Sequence, residues 1–97
     1  MNVNDIYLRE LIGSKIMINK SFNKNNNNIK GRLIDETRNM MIIDNGKRKC
    51  MIPKNGTLFT VEFDGKEYSI DGSIILMKPE DRTKEKRRIY KKLRSKI

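Results

Sequence analysis

Residues 35–50 bring the chain's one cysteine close in sequence to carboxylates and cations that could do chemistry. Three carboxylates, Asp35, Glu36 and Asp44, could share a Mg²⁺ ion, since hard cations take oxygen ligands. The same short acids also suit turns for conformational reasons alone. Cys50 is a potential nucleophile, but a thiol needs an activating base and the chain has no histidine. That absence, with a single cysteine, also excludes a zinc tetrad built within the chain. Cys50 therefore reads as a small buried hydrophobe. The cations are the better prospect. Arg38 can fork two hydrogen bonds to a phosphate or a base edge, with Asn39 shaping the corner beside it, or it can pair internally with Asp35 or Glu36. Lys47, Arg48 and Lys49 are consecutive cations; alternation along a strand would send Lys47 and Lys49 to one face, and Lys54 follows just past Pro53.

Charge over the whole chain supports phosphate binding over catalysis. Twenty-two Lys and Arg against 12 Asp and Glu give +10 on 97 residues, an excess that attracts polyanions. Nucleic acid is the first candidate and an anionic membrane surface the second. The apolar runs 40–43 and 74–77 are far shorter than the roughly 20 residues of a spanning helix, and no signal-peptide core is present. A lone cysteine forms no internal disulfide, so a reducing cytoplasm is expected. Tyr7, Phe22, Tyr68 and Tyr90 are scattered, without the paired aromatics of a single-strand stacking platform. Folded RNA, recognised by shape and backbone, fits better.

The elements that must position these groups are mostly strands. Residues 4–12 suit a short helix from Asn4 to Gly13, with Leu8, Leu11 and Ile12 sharing one face. Alternation in 15–20 and 58–63, and apolar runs bounded by turn signals elsewhere, predict strands over 15–20, 30–36, 39–44, 47–52, 58–63 and 66–70, with a further apolar run at 74–77. Asn45 and Gly46 signal a two-residue type I′ hairpin, and Asn39 tolerates positive φ in the preceding corner. The asparagine-rich stretch 23–28 reads as a solvated loop without function. Runs 40–43 and 74–77 do not alternate, which predicts cover on both faces, one from the interior and the other from the N-terminal helix or another protein. The expected fold is mainly β: a small six- to seven-stranded antiparallel barrel without exposed edges (14–79), an N-terminal helical extension (1–13) and a basic C-terminal helix or tail (80–97). In that last segment Arg82, Arg87 and Arg88 stand among nine cations, and Ile89, Leu93 and Ile97 recur every four residues as a narrow apolar stripe. A helix so short is expected to order on a partner or fray.

Glu10-Leu11-Ile12-Gly13, Gly31-Arg32, Asp35-Glu36-Thr37-Arg38-Asn39-Met40, Pro53-Lys54-Asn55-Gly56, Asp71-Gly72-Ser73 and Pro79-Glu80-Asp81-Arg82 occur in an order and spacing that resembles the archaeal ribonuclease P protein component 1 family. Its eukaryotic relatives are subunits of ribonucleases P and MRP. The resemblance runs from residue 8 to about 87; the asparagine-rich loop and Cys50 depart from the family pattern. It implies an Sm-like (SH3-like) barrel flanked by terminal helices. It further implies a non-catalytic subunit of the ribonucleoprotein that removes the 5′ leader of precursor tRNA. There the RNA carries the chemistry with Mg²⁺, this chain binds no cofactor, and a zinc-ribbon protein subunit pairs with its helical termini. The expected RNA contacts are Arg38, Asn39, Lys47, Lys49, Lys54, Arg82, Arg87 and Arg88. The expected protein contacts are Leu8, Leu11, Ile12, Ile89, Leu93 and Ile97. Precursor tRNA is an indirect partner, and the isolated chain is expected to be monomeric. Two rival readings share these features: a ribosome- or translation-associated RNA-binding barrel, and a protein-only adaptor whose charge serves solubility.

Overall fold

Apolar alternation decides which way each strand faces, and the core follows from it. A computed structural model describes residues 3–95. Six strands, β1 (Lys15–Lys20), β2 (Lys30–Glu36), β3 (Met40–Asp44), β4 (Lys49–Pro53), β5 (Leu58–Phe63) and β6 (Lys66–Asp71), form one antiparallel sheet in the order β4-β3-β2-β1-β5-β6. Ile16 and Ile18 of β1, Leu33 of β2, Met41 and Ile43 of β3, Cys50 and Ile52 of β4, Phe59 and Val61 of β5 and Ile70 of β6 all point into one core. Cys50 is buried there, as its apolar neighbours require.

This is the mainly β, six-stranded antiparallel fold expected; β4 and β6 stand at the two ends of the strand order, and the chain just after β4 meets the chain just after β6 at a corner. At that corner Gly72 N donates to the Thr57 carbonyl (2.9 Å) and Gly56 N donates to Ser73 Oγ (3.0 Å). Gly72 sits so tightly on the Lys54 carbonyl that a Cβ would overlap it.

One irregularity in β2 controls what reaches the interior. Leu33 pairs with Ile43 but Asp35 pairs with Ile42, so a bulge falls at Ile34. A bulge inserts one residue and reverses the alternation after it. Leu33 and Glu36 therefore both face inward, and Asp35 faces solvent.

Several expected elements take other forms. The segment 74–77 is not a seventh strand: a 3-10 turn, Gly72–Ile74, leads into irregular chain. The hairpin after β3 has a longer loop, residues 45–48, because Asn45 Oδ1 accepts from both Lys47 N and Arg48 N (2.9 Å each) and pulls them out of the strand. Asn39 does not adopt positive φ; among non-glycine residues Asn28 and Asp64 do. The N-terminal element is a 3-10 helix, Val3–Leu8, that packs on β6 and the C-terminal helix and leaves the outer face of β3 uncovered. Met40 and Ile42 are consequently half-buried, beside Met51 with 62% of its surface exposed.

The basic C-terminal segment packs against its own chain as far as Ser95. A 3-10 turn, Pro79–Asp81, is followed by the helix α1 (Lys86–Ser95). Ile89 enters the same core as Ile6, Tyr7 and Leu11, with Leu93 packed against it. The Tyr90 hydroxyl donates to Asp5 Oδ1 at 2.6 Å, which ties α1 to the N-terminal turn. None of the described helices is long and apolar enough to cross a membrane.

Candidate nucleic-acid interface

The charged side chains divide into two populations. Inside, the Glu36 carboxylate meets two cations. Arg82 Nη1 donates to Oε1 and Nη2 lies against Oε2, each at 2.8 Å; Lys54 Nζ stands 3.5 Å from Oε1. Lys54 is 0% exposed and Arg82 1%. Lys54 Nζ also donates to the carbonyls of Ile75 (3.2 Å) and Met77 (3.0 Å). Those carbonyls are two residues apart on one side of the chain, where a seventh strand would offer them to a neighbour. The ammonium takes that neighbour's place. Burial pulls the Lys54 ammonium below its ordinary pKa of 10.5; the Glu36 charge opposes this and Arg82 reinforces it.

Lys54 and Arg82 are therefore not phosphate contacts, contrary to the expectation from their charge. Lys54 keeps the inward parity of Cys50 and Ile52 through Pro53, and Arg82 is drawn in by the Glu36 fork. Leu11 and Ile89 are likewise core residues, fully buried against one another's cluster, so they offer no surface to a partner. Ile12, 39% exposed, and the half-buried Leu8 and Leu93 keep apolar surface at the paired termini. Ile97 lies outside the described residues.

Outside, Arg38, Asn39, Lys47, Arg48, Lys49, Arg87 and Arg88 are all exposed. Thr37 N donates to the Met40 carbonyl (2.9 Å) and Thr37 Oγ1 accepts from Met40 N (3.1 Å), which holds the corner that displays Arg38 and Asn39. Neither internal ion pair considered for Arg38 forms among the described residues. Glu36 is committed inward, and Asp35 Oδ1 accepts from Glu36 N (2.8 Å). The Asp44 carboxylate caps Gly46 N at 2.9 Å. Each of the three carboxylates thus has a structural partner, and the described residues contain no group of three or more His, Cys, Asp or Glu placed to hold a metal. Lys47 and Arg48 both sit in the loop, so strand alternation does not rank them.

Two expected contacts distant in sequence come together. Arg38 and Arg88 line one cleft of about 220 Å³, with Lys78, Asp81, Glu85, Leu76 and Met77. Arg88 is held by Glu85, three residues earlier and just before α1. The internal pair explains the juxtaposition: Glu36 lies two residues before Arg38, and Arg82 lies at the root of the arm that carries Arg88. Lys47, Arg48 and Lys49 form a second cationic corner at the far end of the β3–β4 hairpin. The buried cluster itself was missed from sequence; its one signal was the inward parity of Lys54.

A family model described as ribonuclease P/MRP, subunit p29, matches residues 4–85. The chain is similar to ribonuclease P protein component 1 of Thermoplasma volcanium, with 43% identity over 91% of this chain and 96% of that one. It is similar as well to ribonuclease P protein component 1 of Methanocaldococcus jannaschii, at 37% over 88% and 90%. Among solved structures it resembles Mth11, described as a homologue of human RNase P protein Rpp29. That likeness has a TM-score of 0.59 and 33% identity, covering 75% of this chain and 96% of the other.

Proposed function

The chain belongs to the ribonuclease P/MRP subunit p29 family, and from that membership we propose that it is a non-catalytic, RNA-binding subunit of ribonuclease P. One observation carries the reading: the two cations beside Glu36 are buried and paired with it, whereas the corner cations Arg38, Lys47, Arg48 and Lys49 and the arginines Arg87 and Arg88 of α1 are exposed. A surface of this kind neutralises phosphates. It binds folded RNA by charge and shape, and lets that RNA close its helices with less Mg²⁺.

Its contribution to removing the 5′ leader of precursor tRNA is positional. The RNA binds Mg²⁺ and carries the chemistry; this chain holds the RNA fold through Arg38, Asn39, Lys47, Arg48, Lys49, Arg87 and Arg88. A zinc-ribbon protein subunit pairs with the helical termini, where Ile12, Leu8 and Leu93 provide apolar surface beside the Tyr90–Asp5 tie. The compartment is the cytoplasm.

Reconstitution tests this. Ribonuclease P RNA with the full set of protein subunits should cleave precursor tRNA at a Mg²⁺ concentration where RNA alone does not. Omitting this chain should raise the Mg²⁺ requirement. Cleavage of precursor tRNA by the purified chain without RNA would overturn the assignment of the chemistry.

A further inference from the structure

Phe22 is the most exposed large hydrophobic side chain described, at 82%, yet it is not loose. The Ser21 amide before it donates to Asn27 Oδ1 (2.9 Å), and after it Asn23 Oδ1 accepts from Asn25 N (3.0 Å). Its ring lies on the backbone of Gly56, where any Cβ would overlap the ring, and Gly56 holds φ +76°. The support beneath is braced in turn: Gly56 N donates to Ser73 Oγ, and Ser73 Oγ donates to Asn55 Oδ1, both at 3.0 Å. One face of the ring is thus seated on glycine and the other is open to solvent.

The surroundings select an occupant. Lys20 and Lys24 flank Phe22 at two positions on either side, both exposed, with the exposed amides of Asn23 and Asn25. Residues 15–34 and 45–61, which supply both halves of the site, contain no carboxylate. Asp71, across the corner, is engaged with Ser73 N (3.0 Å). A preorganised aromatic face, cations within a side chain's reach and amide groups together suit a nucleotide: a base stacks on the ring, a phosphate meets a lysine and amides meet base edges. We propose that Phe22, seated on Gly56, is a stacking site for one unpaired nucleotide of the bound RNA. This rests on the RNA-binding reading above and adds a single-stranded element to it.

The chain has no tryptophan, so Phe22→Trp supplies a single fluorescent reporter. The variant, with its β spectrum checked by circular dichroism, is titrated with single-stranded oligouridylate and with duplex RNA of equal length. The single strand should quench the emission and the duplex should not. Phe22→Ala should weaken oligouridylate binding by about tenfold, in line with one lost base–aromatic stack, with an unchanged salt slope because no charge is removed; Phe22→Tyr should restore it. Wild-type binding with no quenching of the tryptophan variant, or with equal affinity of Phe22→Ala, overturns the stacking site and leaves the cationic surface standing. A tryptophan that responds to the zinc-ribbon subunit and not to RNA makes the ring a protein contact and also overturns it. Failure of the wild type to bind any RNA overturns both readings together.

Discussion

Glu36 and Arg82, 46 residues apart, face each other through two 2.8 Å contacts with both side chains shielded from water. The pair joins the β2–β3 corner to the root of the C-terminal arm. It sets where Arg38 and Arg88 stand, although neither belongs to it. Lys54 completes the cluster and leaves it with one cation in excess, while Arg82 Nε is buried with no hydrogen-bond partner among the described atoms.

Glu36→Ala should be the most damaging single change in this cluster. It strands two buried cations, and breaking a buried pair costs about 3–5 kcal/mol. Arg82→Ala should cost less, because Lys54 still accompanies the carboxylate. Urea unfolding followed by circular dichroism measures both. A Glu36→Ala protein as stable as Arg82→Ala would show that the carboxylate is not the hub.

Lys54 should make stability depend on pH in the alkaline range. Its folded pKa lies below its ordinary 10.5, mainly through burial. At neutral pH the ammonium is charged in both folded and unfolded chains, and the cost of burying it is carried in full. As pH rises through the lowered folded value toward 10.5, the folded protein releases the proton before the unfolded chain does. Stability rises where the unfolded state binds more protons. Relative to Lys54→Met, the wild type should therefore gain stability between neutral pH and 10.5. A relative loss over that window would contradict the burial argument.

Tyr90→Phe should loosen α1 without unfolding the sheet. The hydroxyl's bond to Asp5 is a tie between the two ends of the chain, and it raises the Tyr90 pKa above 10.0. Amide hydrogen exchange should quicken in Lys86–Ser95 and in Val3–Leu8, and stay slow in β1 and β5. Uniform acceleration across the sheet would mean that the tie supports the whole fold.

Much of this was legible in the sequence, and the failures have physical causes. The bounds of β1 and β5 follow from alternation, because each has one face buried and one wet. The family was legible in the Asp35–Met40 block. Alternation failed at Glu36, where the Ile34 bulge turns a carboxylate inward, and a bulge leaves no mark in hydrophobic pattern. It failed at 74–77, where an apolar run has its carbonyls taken by Lys54 Nζ in place of a neighbouring strand. Counting Arg82 and Lys54 with the surface cations went wrong because charge alone does not say which side chains meet a buried partner. Lys47 and Arg48 left the strand because one amide oxygen, Asn45 Oδ1, captured both of their N–H groups.

The separation of the cations into an internal pair and an external rim is tested most directly by the salt dependence of binding to ribonuclease P RNA. The wild type should show a steep log–log slope. Arg38→Ala, Lys49→Ala and Arg88→Ala should each lower it by about 0.7–0.9 for every phosphate contact removed. Lys54→Met, which removes a charge of the same sign from the interior, should leave it unchanged. Equal slope losses for Lys54→Met and Lys49→Ala, or no loss for any rim substitution, would contradict the account.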